Sequence, residues 1–180
     1  MEQKLTVFNI IPNEKDVIKV KLPRNSSGSP LTFAQGDQLV AEVLVDGTRD
    51  VYDGKLVTDP ATEETVIIFN QGVYADEFGN RHGFVQNPAY IRYKSDEIVT
   101  AVRATKNVKL QISEQAYVGT AVNEQFLVPQ VADETNPATF GLTVAPTNTG
   151  VATSYKIEKA DEKIEVGFAQ FITAPMLRTM

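Results

Sequence analysis

Short runs of strict apolar–polar alternation constrain this chain most. "VIKVKLP" (17–23) sets Ile18, Val20 and Leu22 against Lys19 and Lys21, and "NVKLQIS" (107–113) sets Val108, Leu110 and Ile112 against Lys109 and Gln111. "KIEVGF" (163–168) does the same with Ile164, Val166 and Phe168, leaving Lys163 and Glu165 on the other side. Successive strand side chains point to opposite faces, so each run reads as a strand with one wet face and one buried face. "QLVAEVLV" (38–45) and "TVIIF" (65–69) are more continuously apolar and read as strands buried more completely.

Turn chemistry separates these runs. Asp46-Gly47 and Asp53-Gly54 are favoured two-residue hairpin turns, "NSSGSP" (25–30) is a polar loop, and "KADEK" (159–163) joins two alternating runs as a hairpin would. Helical signals are sparse. Asp59 as N-cap with Pro60 behind it predicts at most one turn before the β-branched Thr65 and Val66, and 87–99 fits neither period. Residues 129–150, "PQVADETNPATFGLTVAPTNTG", read as a long loop containing a short strand, and a loop of that length is uncommon unless it binds something. The expected fold is all-β: a barrel or sandwich built as two small subdomains with little helix. The boundary falls near 100, giving an N-terminal β domain (1–100) and a C-terminal β domain (101–180) that carries the long loop.

Composition narrows the function classes. The chain has 180 residues, a net charge of −6 and no cysteine, which argues against a broad nucleic-acid footprint and removes disulfides, thiolate catalysis and cysteine-ligated zinc. Acidity is concentrated early: residues 1–90 carry 8 basic and 13 acidic side chains, and residues 91–180 carry 9 and 10. No apolar run reaches the roughly 20 residues of a membrane helix, and the N-terminus lacks the pattern of a signal peptide. The chain therefore reads as made and folded in cytoplasm, where the sequon at Asn25 would stay unused.

The one stretch that invites chemistry is "DEFGNRHGF" (76–84), where Asp76 and Glu77 precede His82, the only histidine. A metal site needs three or four converging ligands, and adjacent strand residues diverge. Gly79-Asn80 and His82-Gly83 instead supply the positions a chain reversal needs, so the stretch reads as a hairpin tip. No serine nucleophile elbow and no phosphate-cradling loop occurs, and no carboxylate pair stands out from the rest. Asp46, Asp50 and Asp53 lack the spacing of a calcium loop. The six tyrosines could stack sugars, but tyrosine is also an ordinary strand residue. We therefore expect no catalytic residue, no cofactor and no metal.

"GKLVTDPATEETVIIFNQGVYAD" (54–76), "AYVGTAVNEQFLVPQ" (116–130) and "YKIEKADEKIEVGFAQFI" (155–172) resemble, in style and order, the β-modules of head decoration proteins of tailed bacteriophages. The resemblance covers about half the chain and includes no diagnostic motif. It implies a β-barrel or β-tulip, homo-oligomerisation, the major capsid protein as partner, and a place on the virion after assembly in host cytoplasm. It carries no catalytic residues. The apolar ends, "MEQKLTVFNII" and "TAPMLRTM", serve either as docking arms or as strands at a sheet edge. A carbohydrate-binding β-module of a fibre or adhesin is the competing reading, and a carboxylate enzyme a third.

Overall fold

The computed structural model describes residues 6–7, 16–44, 51–69, 73–75, 81–83, 92–105, 108–165 and 171–180. The strands are β1 (Thr6–Val7), β2 (Val17–Lys21), β3 (Thr32–Phe33), β4 (Gln38–Leu44), β5 (Val51–Lys55), β6 (Val66–Ile68), β7 (Val73–Ala75), β8 (Arg81–Gly83), β9 (Tyr93–Lys94), β10 (Ile98–Arg103), β11 (Lys109–Ile112), β12 (Tyr117–Val118), β13 (Phe126–Pro129), β14 (Leu142–Ala145), β15 (Tyr155–Lys159), β16 (Lys163–Glu165), β17 (Phe171–Thr173) and β18 (Met176–Thr179). The fold is all-β, with no α-helix among the described residues.

Five strands close a barrel in the order β10-β2-β5-β4-β6. Its interior follows the alternation of β2: Ile18, Val20 and Leu22 point inward beside Leu39, Val66, Ile68, Val99 and Ala101, while Lys19 stays exposed. β6 is buried on both faces. Val66 and Ile68 enter the barrel core, and Ile67 between them joins a second core outside it. That double burial explains why "TVIIF" is apolar without a break. β4 is less enclosed than its composition suggests, since Val40, Ala41 and Glu42 are half-buried.

A curled seven-stranded sheet forms the rest, in the order β1-β11-β18-β15-β13-β14-β12. It packs against the barrel's outer wall. Ile67, Phe69 and Val102 of the barrel share one cluster with Leu110, Ile112, Leu127, Leu142, Tyr155, Ile157 and Leu177 of the sheet. The break between barrel and sheet lies after Arg103, and Thr6–Val7 crosses back to pair with β11. The described residues nearest both ends thus include strands. β1 lies at the sheet edge, and β18 lies inside the sheet between β11 and β15.

Several local expectations are corrected. Asp53-Gly54 is not a turn but the middle of β5, which runs parallel to β2. A Cβ at Gly54 would lie 2.8 Å from both the Lys21 carbonyl oxygen and Val20 Cγ1, so the glycine serves close strand approach. The chain turns at 160–161, yet β15 and β16 do not form a hairpin: β15 pairs with β13 and β18, and β16 with β17. Gln111 is buried, not wet, and its Nε2 donates to the Ala174 carbonyl at 3.3 Å. Residues 93–94 and 98–99 are strand. At 59–63 the chain makes a single turn, as expected, with Asp59 Oδ1 accepting from Ala61 N and the Glu63 carboxylate from the amides of Thr58 and Asp59. Asp46-Gly47, Val166 and Phe168 lie outside the described residues.

Candidate functional site

The stretch that invited chemistry resolves in part. β7 and β8 pair antiparallel, with Tyr74 opposite His82 and Ala75 opposite Arg81. His82-Gly83 therefore belongs to the ladder and not to a turn. Asp76, Glu77, Gly79 and Asn80 lie outside the described residues. Among the described residues, no group of three His, Cys, Asp or Glu side chains is placed to hold a metal.

The long segment after β13 contains the short strand expected within it, β14, which pairs with β13 on one side and β12 on the other. The connection between them, 130–141, is fixed link by link. Asp133 Oδ1 accepts from the amide and hydroxyl of Thr135 at 2.9 and 2.7 Å, and these bonds hold its carboxyl below the ordinary range. Asn136 caps a 3₁₀ turn, Pro137–Phe140, through Oδ1. That turn delivers Phe140, 1% exposed, into the barrel core, where its ring stacks on Phe33 at 5.3 Å.

This contact lies at one end of the barrel. β10 runs against β2 with Ile98 opposite Lys21 and Val102 opposite Val17, so the barrel has a Leu22 end and an Arg103 end. At the Leu22 end, Ala132 N donates to the Val57 carbonyl at 2.8 Å. There too the Glu134 carboxylate accepts from both the amide and the hydroxyl of Ser26, each at 2.8 Å. The segment read as a binding loop therefore binds the barrel of its own chain.

Between barrel and sheet runs a buried polar network. Gln38 Oε1 accepts from the Thr65 hydroxyl at 2.8 Å and the Tyr155 hydroxyl at 3.1 Å, and Gln38 Nε2 donates to the Gly36 carbonyl. Tyr155 is fully buried, which pushes its hydroxyl pKa up despite these bonds. Buried groups this fully satisfied fix the register of one sheet on the other.

At the Arg103 end a cleft of about 350 Å3 opens between the start of β6, the end of β10 and residues 152–153. Glu64 and Arg103 line it, with Thr65 and Thr153 buried at its base and Met180 half-exposed beside it. Thr65 N donates to Thr153 Oγ1 at 3.0 Å. The Arg103 guanidinium lies over the Tyr52 ring, 5.1 Å from its centroid. Nothing in the sequence pattern marked this pair, because Glu64 and Arg103 are brought together only by the pairing of β6 with β10.

The open sheet has two edges, β1 and β12. On β12 Val118 is 50% exposed, and Val131, just past the end of β13, is 60% exposed. Tyr117 beside it is buried, and burial together with the Glu114 carboxylate pushes its hydroxyl up to about 12.

No protein family, curated protein or solved structure matches this chain.

Proposed function

We propose that this chain is a virion structural protein that docks on the outer surface of a tailed-phage capsid and stabilises it. One observation carries the reading: the sheet is open and ends in a short edge strand, β12, whose Val118 stands exposed, with Val131 exposed just past the end of β13. Sheet edges and exposed apolar side chains are where protein partners add contact. The barrel, being closed, offers no such edge. The stretches that resemble decoration proteins include β12 and β13, so resemblance and exposed edge fall together.

In this reading the docking surface is the β12 edge with the outer side of 130–141. Free terminal arms are not needed, since the described parts of both ends lie in the sheet. The test is co-sedimentation of the purified protein with capsids of the phage that encodes it. Wild type is expected to pellet with capsids. Val118→Asp and Val131→Asp are expected to stay in the supernatant with thermal midpoints unchanged, as surface substitutions usually leave stability within about 0.5 kcal/mol. Failure of the wild type to pellet, together with binding to a glycan array, would replace this reading with the carbohydrate-binding one.

A further inference from the structure

The outer face of the curled sheet, turned away from the barrel, carries an inference that does not depend on capsid docking. Leu110, Leu177, Ile157 and Leu127 face the core shared with the barrel. By alternation, the residues next to them on each strand face outward. The ladder then sets Lys109 opposite Arg178, Arg178 opposite Lys156, Lys156 opposite Phe126 and Phe126 opposite Ala145. Three cations thus stand side by side on β11, β18 and β15, in a chain whose net charge is −6. Like charges directly opposite one another destabilise a sheet. A local rule broken at a cost to stability marks a place where function, not folding, chooses the residues.

The chain's own carboxylates show what the row accepts. Glu158 lies 2.5 Å from the Arg178 guanidinium and 3.8 Å from Lys109 Nζ. Glu124 reaches Lys156 Nζ at 2.5 Å. Among the described residues, two carboxylates therefore serve three cations, and they serve them unequally. Lys109, with 58% of its side chain exposed, has only the longer contact of a shared carboxylate. The Glu124 side chain is 72% exposed, and an ion pair that wet is weak and readily exchanged. Phe126, half-buried next to Lys156, adds an apolar step to the same row.

We propose that this face binds an extended acidic peptide segment of a partner protein, lying across the strands with its carboxylates on the cation row and an apolar side chain on Phe126. Neighbouring strands lie about 4.8 Å apart, so the three gaps from Lys109 to Phe126 cover about 14 Å. An extended chain rises about 3.3 Å per residue, so its positions i, i+2 and i+4 span about 13 Å. The segment that fits is therefore acidic at i and i+2 and apolar at i+4. A nucleic-acid strand fits less well, because a long polyanion meets the field of the whole acidic chain, whereas a short peptide within a Debye length of about 8 Å meets chiefly the row.

The experiment titrates the full-length protein by NMR with the peptide acetyl-Gly-Glu-Gly-Glu-Gly-Leu-Gly-amide. Saturable binding is expected, weakened by added salt and about tenfold weaker when Gln replaces both Glu of the peptide. The double variant Lys109→Gln with Lys156→Gln is expected to show the same loss. Glu124→Gln, which removes the competing carboxylate, is expected to tighten binding about two- to fivefold, the range of an exposed ion pair. That exposed position keeps the test valid should the double variant misfold. Absence of binding at about 1 mM peptide, equal binding of the Glu and Gln peptides, binding unchanged in the double variant, or no gain in Glu124→Gln would each overturn the proposal. Tighter binding of a short oligothymidylate than of the peptide would overturn it as well.

Discussion

At the scale of single residues, the positions that decide this fold are those where a side chain has one permitted shape. Gly54 is the clearest. A methyl group there meets a backbone carbonyl and a valine at 2.8 Å, and the carbonyl cannot swing away without breaking the β2–β5 ladder. Gly54→Ala is expected to destabilise by about 1–3 kcal/mol, the usual cost of overpacking, measured by denaturant titration. A neutral result would mean that β2 and β5 lie farther apart than described. Acid sensitivity belongs to this scale too. Burial acts to raise the Glu63 carboxyl, but backbone amides of Asp59 and Thr58 and the Thr58 hydroxyl outweigh it and hold the group below its ordinary 4.5. Hydrogen bonds from Arg24 lower Asp96 similarly. A depressed carboxylate contributes stability that is full above its unfolded pKa and is lost as pH falls through its folded pKa. Stability should therefore be level from about pH 7 to 5 and fall below about 4.5. Glu63→Gln should lower the plateau and flatten the fall, and a steeper acid loss in that variant would contradict the assignment.

At the scale of elements, the reading from alternation succeeded where burial is one-sided and failed where pairing is long-range. β2 follows its period because one face looks into the barrel and the other to solvent. The pattern in "TVIIF" gave its double burial but not its second partner, which comes from strands more than forty residues on. Asp53-Gly54 and "KADEK" carried hairpin chemistry that the ladder overrode, since a glycine also serves a tight crossing and a turn need not join paired strands. The cleft was not legible at all, because Glu64 and Arg103 carry no local signal. What the 130–141 segment packs on was hidden for a related reason. Its polar composition describes its outer surface, while one residue, Phe140, anchors it in the barrel. Phe140→Ala is expected to cost about 3–5 kcal/mol, as for other buried aromatics. Glu134→Gln, which removes the charge and turns one of the two oxygens accepting from Ser26 into a donor, should cost far less. Equal losses in the two variants, read by thermal unfolding, would show that the clasp and not the ring holds the segment.

At the scale of the whole molecule, barrel and sheet depend on one another. The barrel core takes Phe140 from between the sheet's β13 and β14, and the second core takes Ile67, Phe69 and Val102 from the barrel wall. A fragment ending at Arg103 would expose those three side chains and lose Phe140, a deficit comparable with the 5–15 kcal/mol that keeps a typical domain folded. Such a fragment is expected to give no cooperative unfolding transition, and a sharp transition would show that the barrel stands alone. Interlocking of this kind suits a rigid block that presents a fixed edge to a lattice, which is the role proposed for it. The most direct measurement of that role is electron cryo-microscopy of virions of the encoding phage, with and without this chain. The account predicts density on the outer capsid surface that fits the barrel and curled sheet, with β12 and 130–141 against the major capsid protein, and its loss when the chain is deleted. Capsids identical with and without the chain, or density confined to another part of the particle, would contradict it.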